Sequence, residues 1–172
     1  NVAQLRHADA IYQGHCQTVT SNTYEIERAI ADADLVIGAV LVPGAKTPIL
    51  ITNEQVSRMK PGSVLVDIAI DQGGCFEDSH ATTHTDPTYQ VHNSVFYCVA
   101  NMPGAVPHTS TYALTNVTLP YAVELANLGW REALRADHAL ALGLNTHDGA
   151  VVYGPVAVAH GLTSVTLDDV LR

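Results

Sequence analysis

Three short apolar runs, each closed by a glycine-containing breaker, constrain this chain more than any other feature. Leu35-Val36-Ile37-Gly38-Ala39-Val40-Leu41 runs into Val42-Pro43-Gly44-Ala45, Ser63-Val64-Leu65-Val66-Asp67-Ile68-Ala69-Ile70 into Asp71-Gln72-Gly73-Gly74, and Val95-Phe96-Tyr97-Cys98-Val99-Ala100 into Asn101-Met102-Pro103-Gly104. Runs that are apolar without alternation read as strands buried on both faces, the habit of parallel sheets. Helix signals lie between them. Ser21-Asn22-Thr23 caps a helix over about 23–33, with Glu25 and Glu27 in its first turn, and Thr52-Asn53-Glu54 opens a short helix that closes near Lys60-Pro61-Gly62. Strands alternating with helices imply an α/β parallel sheet, and such sheets bind ligands outside the carboxyl ends of their strands. Leu41–Ala45, Asp71–Gly74 and Asn101–Gly104 are therefore expected to line one crevice.

The remaining segments are read more coarsely. Residues 1–12 form a helix stopped at Gly14, and Leu5 sits mid-helix, so further chain is expected ahead of Asn1. His15–Thr20 reads as a strand and 77–94 as a polar loop. A helix is expected from Thr109 to about Leu128, kinked or broken at Pro120, with 129–172 helical and joined by short connections.

Composition narrows the function classes. The 172 residues carry 8 Lys plus Arg against 17 Asp plus Glu, a formal charge of −9, which disfavours a nucleic-acid partner. At 47% hydrophobic and 15% charged residues, the chain is globular rather than disordered. No apolar run approaches the roughly 20 residues of a membrane helix, so no membrane partner is expected. Cys16, Cys75 and Cys98 are an odd, widely spaced set, which fits a reducing compartment such as the cytoplasm better than a disulfide framework. None of the nine histidines joins a zinc-spaced cluster, so no metal site is expected.

Several side chains invite two readings. Asp71 follows an apolar strand at the expected crevice, where it would serve acid–base work or a ligand hydrogen bond; a turn or capping aspartate is the plain alternative. Asp67 lies within the strand and reads as structural, since a buried carboxylate needs partners. Cys75 beside the crevice would need a base to act as a nucleophile, and none is placed; Cys98 reads as core. Ser110-Thr111 and Thr115-Asn116 give the long helix a polar face, for back-bonding to carbonyls or for packing beside a cofactor. Neither a Gly-x-Gly-x-x-Gly fingerprint nor a Walker A sequence is present.

Asp34–Ala45, Met59–Glu77, and Tyr97–Pro107 continuing through Thr109–Asn116 resemble segments of alanine dehydrogenases. The resemblance covers essentially the whole chain and is weaker in 1–20, 78–94 and 150–172. It implies the carboxyl-terminal half of such an enzyme, interconverting L-alanine with pyruvate and ammonium by hydride transfer to NAD. Residues 1–105 would then be the second half of a Rossmann-type doubly wound parallel sheet. Residues 106–172 would be the interdomain helix and a helical carboxyl-terminal part of the substrate domain. Family members are usually homohexamers, which implies self-association.

By the same resemblance Asp71 matches the catalytic aspartate, which works with a histidine in proton transfer. Ser21 matches a serine at the adenosine end of NAD, and Val40 and Leu41 the pair beside the adenine ribose. Ile68, Ala69 and Ile70 line the cofactor ahead of Asp71, and Val99, Ala100, Asn101 and Met102 lie beside the nicotinamide. The family's substrate-binding arginine and lysine, its catalytic histidine and its Gly-rich phosphate loop belong upstream of Asn1, so the segment is expected to be inactive alone. Gln4 stands where some relatives carry a basic NAD contact, and Leu128 where one branch has a histidine implicated in magnesium binding. Two alternatives remain: the NAD-binding subunit of a proton-translocating transhydrogenase, and a non-catalytic nucleotide-binding module.

Overall fold

Strands β1 (Leu35–Gly38), β2 (Val64–Asp67), β3 (Thr88–Val91) and β4 (Ser94–Tyr97) form one sheet in the order β1-β2-β4-β3 in the computed structural model, which describes residues 1–172. β1 pairs with β2, and β2 with β4, in parallel, with Gly38 opposite Asp67 and Val66 opposite Tyr97. The three parallel strands are the three apolar runs, and their carboxyl ends align. Each is shorter than its run. β1 stops at Gly38, where a Cβ would come within 2.2 Å of Cys75 Sγ. β2 stops at Asp67, whose carboxylate captures the Ala69 amide and winds Ile68–Gln72 into a 3-10 turn.

β3 corrects the loop reading of 77–94. It pairs antiparallel with β4 across a two-residue turn at His92-Asn93, with His92 at φ 53°. It is an edge strand, so only one row of its side chains turns inward; Tyr89 packs on Phe96 with ring centroids 5.4 Å apart. The expected strand at His15–Thr20 does not form; that segment is largely exposed and finds no partner strand.

The chain divides into two compact units. The first comprises Asn1–Val40 and Thr47–Ala100. Besides the sheet it holds helices α1 (Val2–Tyr12), α2 (Thr23–Ala31) and α3 (Asn53–Ser57). Asn22 and Thr52 cap α2 and α3 as the sequence predicts, and Thr52 forms a full capping box with Gln55. Its core is built from Leu65, Phe76, Phe96, Val56 and Cys98 with Ile30 and Ile51.

The second unit comprises Leu41–Lys46 and Asn101–Arg172. A 3-10 turn, Met102–Ala105, leads into α4 (Pro107–Ala136). The chain does not break at Pro120, where dihedrals stay helical; they depart at Gly129, φ 74° and ψ 159°, a region that glycine alone adopts freely, so the first helical run ends at Leu128 as the sequence predicts. Short helices α5 (His138–Ala141), α6 (Gly154–Ala159) and α7 (Leu167–Leu171) follow. A hairpin of β5 (Thr146–His147) and β6 (Ala150–Val151), which the helical reading of 129–172 omits, lies among them. Leu134, Ala141 and Leu171 form a small core beside Trp130. The 41–46 loop joins this unit through Gly44, where a Cβ would meet the Tyr153 ring at 2.6 Å. No helix is long and apolar enough to cross a membrane.

Candidate functional site

In the first unit the site is built on the turn after β2. A 3-10 helix has three residues per turn, so positions i and i+3 share a face. Ile68 and Asp71 accordingly face out together, Ile68 being 54% exposed, while Ala69 and Ile70 are buried. Gly73, at φ 98°, closes the turn, its N–H donating to the Ile70 carbonyl at 3.0 Å, and the Gly74 N–H donates to the Ala69 carbonyl at 3.1 Å. The Thr47 N–H donates to the Gln72 carbonyl at 3.1 Å and ties the next segment to the turn. The Asp71 carboxylate is exposed and engaged in no ion pair.

Asp67 underlies the turn and is fully buried. Its Oδ1 accepts from the Ala69 N–H at 3.0 Å and faces the Cys75 thiol at 3.5 Å. Its Oδ2 accepts from the Cys75 N–H at 2.8 Å, the Phe76 N–H at 3.4 Å and the Ser79 hydroxyl at 2.6 Å. The structural reading of Asp67 is therefore correct in kind, but sequence reasoning missed Ser79 and the convergence of donors. Burial, with the Asp67 charge second, pushes the Cys75 thiol up to about 12. Burial likewise pushes Cys98 up. The reactive reading of Cys75 thus gives way to a structural one, for a thiol held protonated is no nucleophile.

The other expected residues divide by location. Ser21 and Val40 line a cleft of about 260 Å³ at the carboxyl end of β1, with Gly38, Ile37 and Phe76 in its walls. The Val99 side chain is fully buried, and Ala100 is partly exposed. Ala69, Ile70 and Val99 are thus buried as whole residues and offer little or no open surface in the folded chain. Leu41, Asn101 and Met102 belong to the second unit. Asn101 adopts the left-handed conformation, φ 56°, ahead of the Met102–Ala105 turn. It lines a second cleft of about 690 Å³ with Pro103, Gly104, Pro107, Ser110 and Thr111. Ser110 donates to the Pro103 carbonyl of the preceding 3-10 turn at 2.8 Å, and further along the helix Thr115 back-bonds to the Thr111 carbonyl at 2.8 Å.

These features suit a nicotinamide dinucleotide in two respects. The Ser21–Val40 cleft is chiefly apolar, as the flat face of a base requires, and Ile68 offers an uncovered aliphatic surface beside Asp71. Thr47 Oγ1 and Gln72 Oε1, next to the turn, are buried polar atoms that lack partners in the folded chain.

Residues 1–154 match the family model described as the alanine dehydrogenase/PNT, C-terminal domain. The chain is 60% identical over 157 residues to an alanine dehydrogenase of Mycolicibacterium smegmatis, covering 91% of this chain and 42% of that protein. It is 53% identical over 173 residues to one from Geobacillus stearothermophilus, covering 100% of this chain and 46% of that protein. A solved L-alanine dehydrogenase superposes with a TM-score of 0.81 at 50% identity, over 94% of this chain and 44% of that one. The chain thus spans less than half the length of the curated relatives it matches. With the parallel sheet, the Asp67–Gly74 turn and the helical carboxyl-terminal segment all in place, this chain belongs to the alanine dehydrogenase/PNT C-terminal domain family.

Proposed function

We propose that this chain is the NAD-binding and catalytic carboxyl-terminal portion of an NAD-dependent alanine dehydrogenase, which converts L-alanine reversibly to pyruvate and ammonium. The observation that carries the reading is the Ile68–Asp71 turn. It holds one uncovered carboxylate beside an uncovered aliphatic side chain at the aligned ends of parallel strands. The names of relatives at 50–60% identity favour this reading over hydride exchange between two nicotinamide nucleotides.

NAD, when bound, supplies the hydride acceptor. Ser21 and Val40 hold its adenosine end and Ile68 packs against it, with Ala69, Ile70, Val99 and Ala100 behind these contacts. Leu41 lies at the adenine ribose, and Asn101 and Met102 at the nicotinamide. Asp71 accepts and returns protons as water adds to the substrate imine and ammonium departs, in concert with a histidine supplied from outside this segment. The protein works in the cytoplasm as a homo-oligomer.

The test is absorbance at 340 nm with the purified full gene product. L-alanine with NAD is expected to produce NADH, and pyruvate with ammonium to consume it. Absence of both reactions, in a folded protein that binds NAD, overturns the reading in favour of a non-catalytic nucleotide-binding module.

A further inference from the structure

The turn that carries Asp71 is tied to a residue that never reaches the surface. Five donors converge on the fully buried Asp67 carboxylate: three backbone N–H groups, one hydroxyl and one thiol. They come from both ends of the segment that carries Asp71, from Ala69 before it and from Cys75, Phe76 and Ser79 after it. The carboxylate therefore closes residues 67–79 into a loop around a single acceptor, and Asp71 stands between the two points of attachment. Gly74 is part of this closure: a Cβ there would lie 2.9 Å from Asp67 Oδ2 and 2.6 Å from Ser79 Cβ, so the segment can pass this close only without a side chain.

We propose that Asp67, with Ser79 as its hydroxyl partner, is the positioning residue for Asp71: it sets where the Asp71 carboxylate stands over the reacting substrate. The inference rests on the functional reading given above. The chemistry of the donor set makes it specific. A carboxylate is acceptor-only on both oxygens, whereas an amide of the same shape is not. In Asp67→Asn the amide nitrogen cannot face Cys75 N–H, Phe76 N–H and Ser79 together, so it turns toward Ala69 and the Cys75 sulfur. Sulfur is a weak acceptor, and the Ala69 N–H loses its partner. The bond lost is the one that starts the turn carrying Asp71. The substitution thus releases the side of the loop that matters for chemistry and leaves the Ser79 side tied.

Turnover is sensitive to such release, since a misplacement of about 1 Å costs on the order of 10²-fold. Ile68 shares the loosened turn, but the Cys75 and Phe76 N–H groups, which belong to the walls of the Ser21–Val40 cleft, lie on the side that stays tied to residue 67, so most of the cofactor contact is kept. In the full gene product, Asp67→Asn is expected to lower kcat by about 10²-fold, with KM for L-alanine and NAD little changed. Ser79→Ala, which removes a single donor from a partly buried site, is expected to lower kcat by about 10-fold, and decides the matter should Asp67→Asn fail to fold. The distinguishing readout is a double-mutant cycle. If Asp67 acts through Asp71, then adding Asp67→Asn or Ser79→Ala to Asp71→Asn costs almost nothing further. Wild-type kcat in both single variants, beside an inactive Asp71→Asn enzyme, overturns the inference alone. So does a loss that stays fully additive in the Asp71→Asn background, which is the mark of a merely structural role. Wild-type turnover by Asp71→Asn itself overturns the functional reading and this inference with it.

Discussion

The Cys75 thiol shows how a residue at a site can be tied to the fold rather than to chemistry. Its sulfur lies 3.5 Å from Asp67 Oδ1 in a fully buried setting, and burial followed by that neighbouring charge pushes it from an ordinary value of 9.0 up to about 12. The sign of the pH dependence follows. Folded protein holds the thiol proton more tightly than unfolded chain does, so the contribution to stability is complete below pH 9 and is lost as pH rises toward 12. Denaturant midpoints measured between those limits should fall with pH, and Cys75→Ala should flatten part of that fall. Under native conditions at neutral pH, a thiol reagent should label the exposed Cys16 and spare Cys75 and Cys98. Prompt labelling of Cys75, mapped by mass spectrometry, would contradict its structural assignment.

Two glycines allow backbone to run where a side chain would not fit or would be strained. At Gly38 a Cβ would come within 2.2 Å of Cys75 Sγ and 2.8 Å of Phe76 Cζ. Gly38→Ala should therefore destabilise the protein by about 1–3 kcal/mol through overpacking. Combining it with Cys75→Ala should recover part of the loss, because the nearer obstacle is gone while the ring remains. At Gly129 nothing would touch a Cβ, so Gly129→Ala isolates backbone strain. Its cost should be about 1–3 kcal/mol, seen as a lower thermal midpoint, with no packing partner able to relieve it.

The same elements show what was legible in the sequence. The parallel strands were legible because Leu65, Phe96 and their neighbours stand in unbroken apolar runs between capping signals. Their lengths were not, because Val40 and Ile70 are equally apolar yet lie past the strand ends. β3 was obscured because an edge strand needs few apolar residues, although Thr88-Tyr89-Gln90-Val91 alternates and is followed by a turn pair. Asp71 could be singled out from its place after a strand. The donors to Asp67 could not, since a carboxylate that gathers amides up to nine residues away leaves no periodic trace.

The whole molecule joins an α/β unit to a mainly helical one, and the site residues taken from the resemblance fall in both. Strand β1 is the edge of the sheet, with Leu35 and Ile37 each more than half exposed (55% and 56%). No Gly-rich phosphate loop occurs within the 172 residues. On the function proposed above, the 172-residue polypeptide on its own should form no NADH from L-alanine and NAD; robust turnover by it would contradict the proposal that proton transfer needs a histidine from outside these residues. On the proposed function, Asp71 performs the proton transfers. The decisive measurement is steady-state turnover of Asp71→Asn in the full gene product with saturating L-alanine and NAD. Loss of the carboxylate should lower kcat by about 10²–10⁴-fold with NAD still bound; turnover equal to that of the unaltered enzyme would rule Asp71 out as the proton-transfer group.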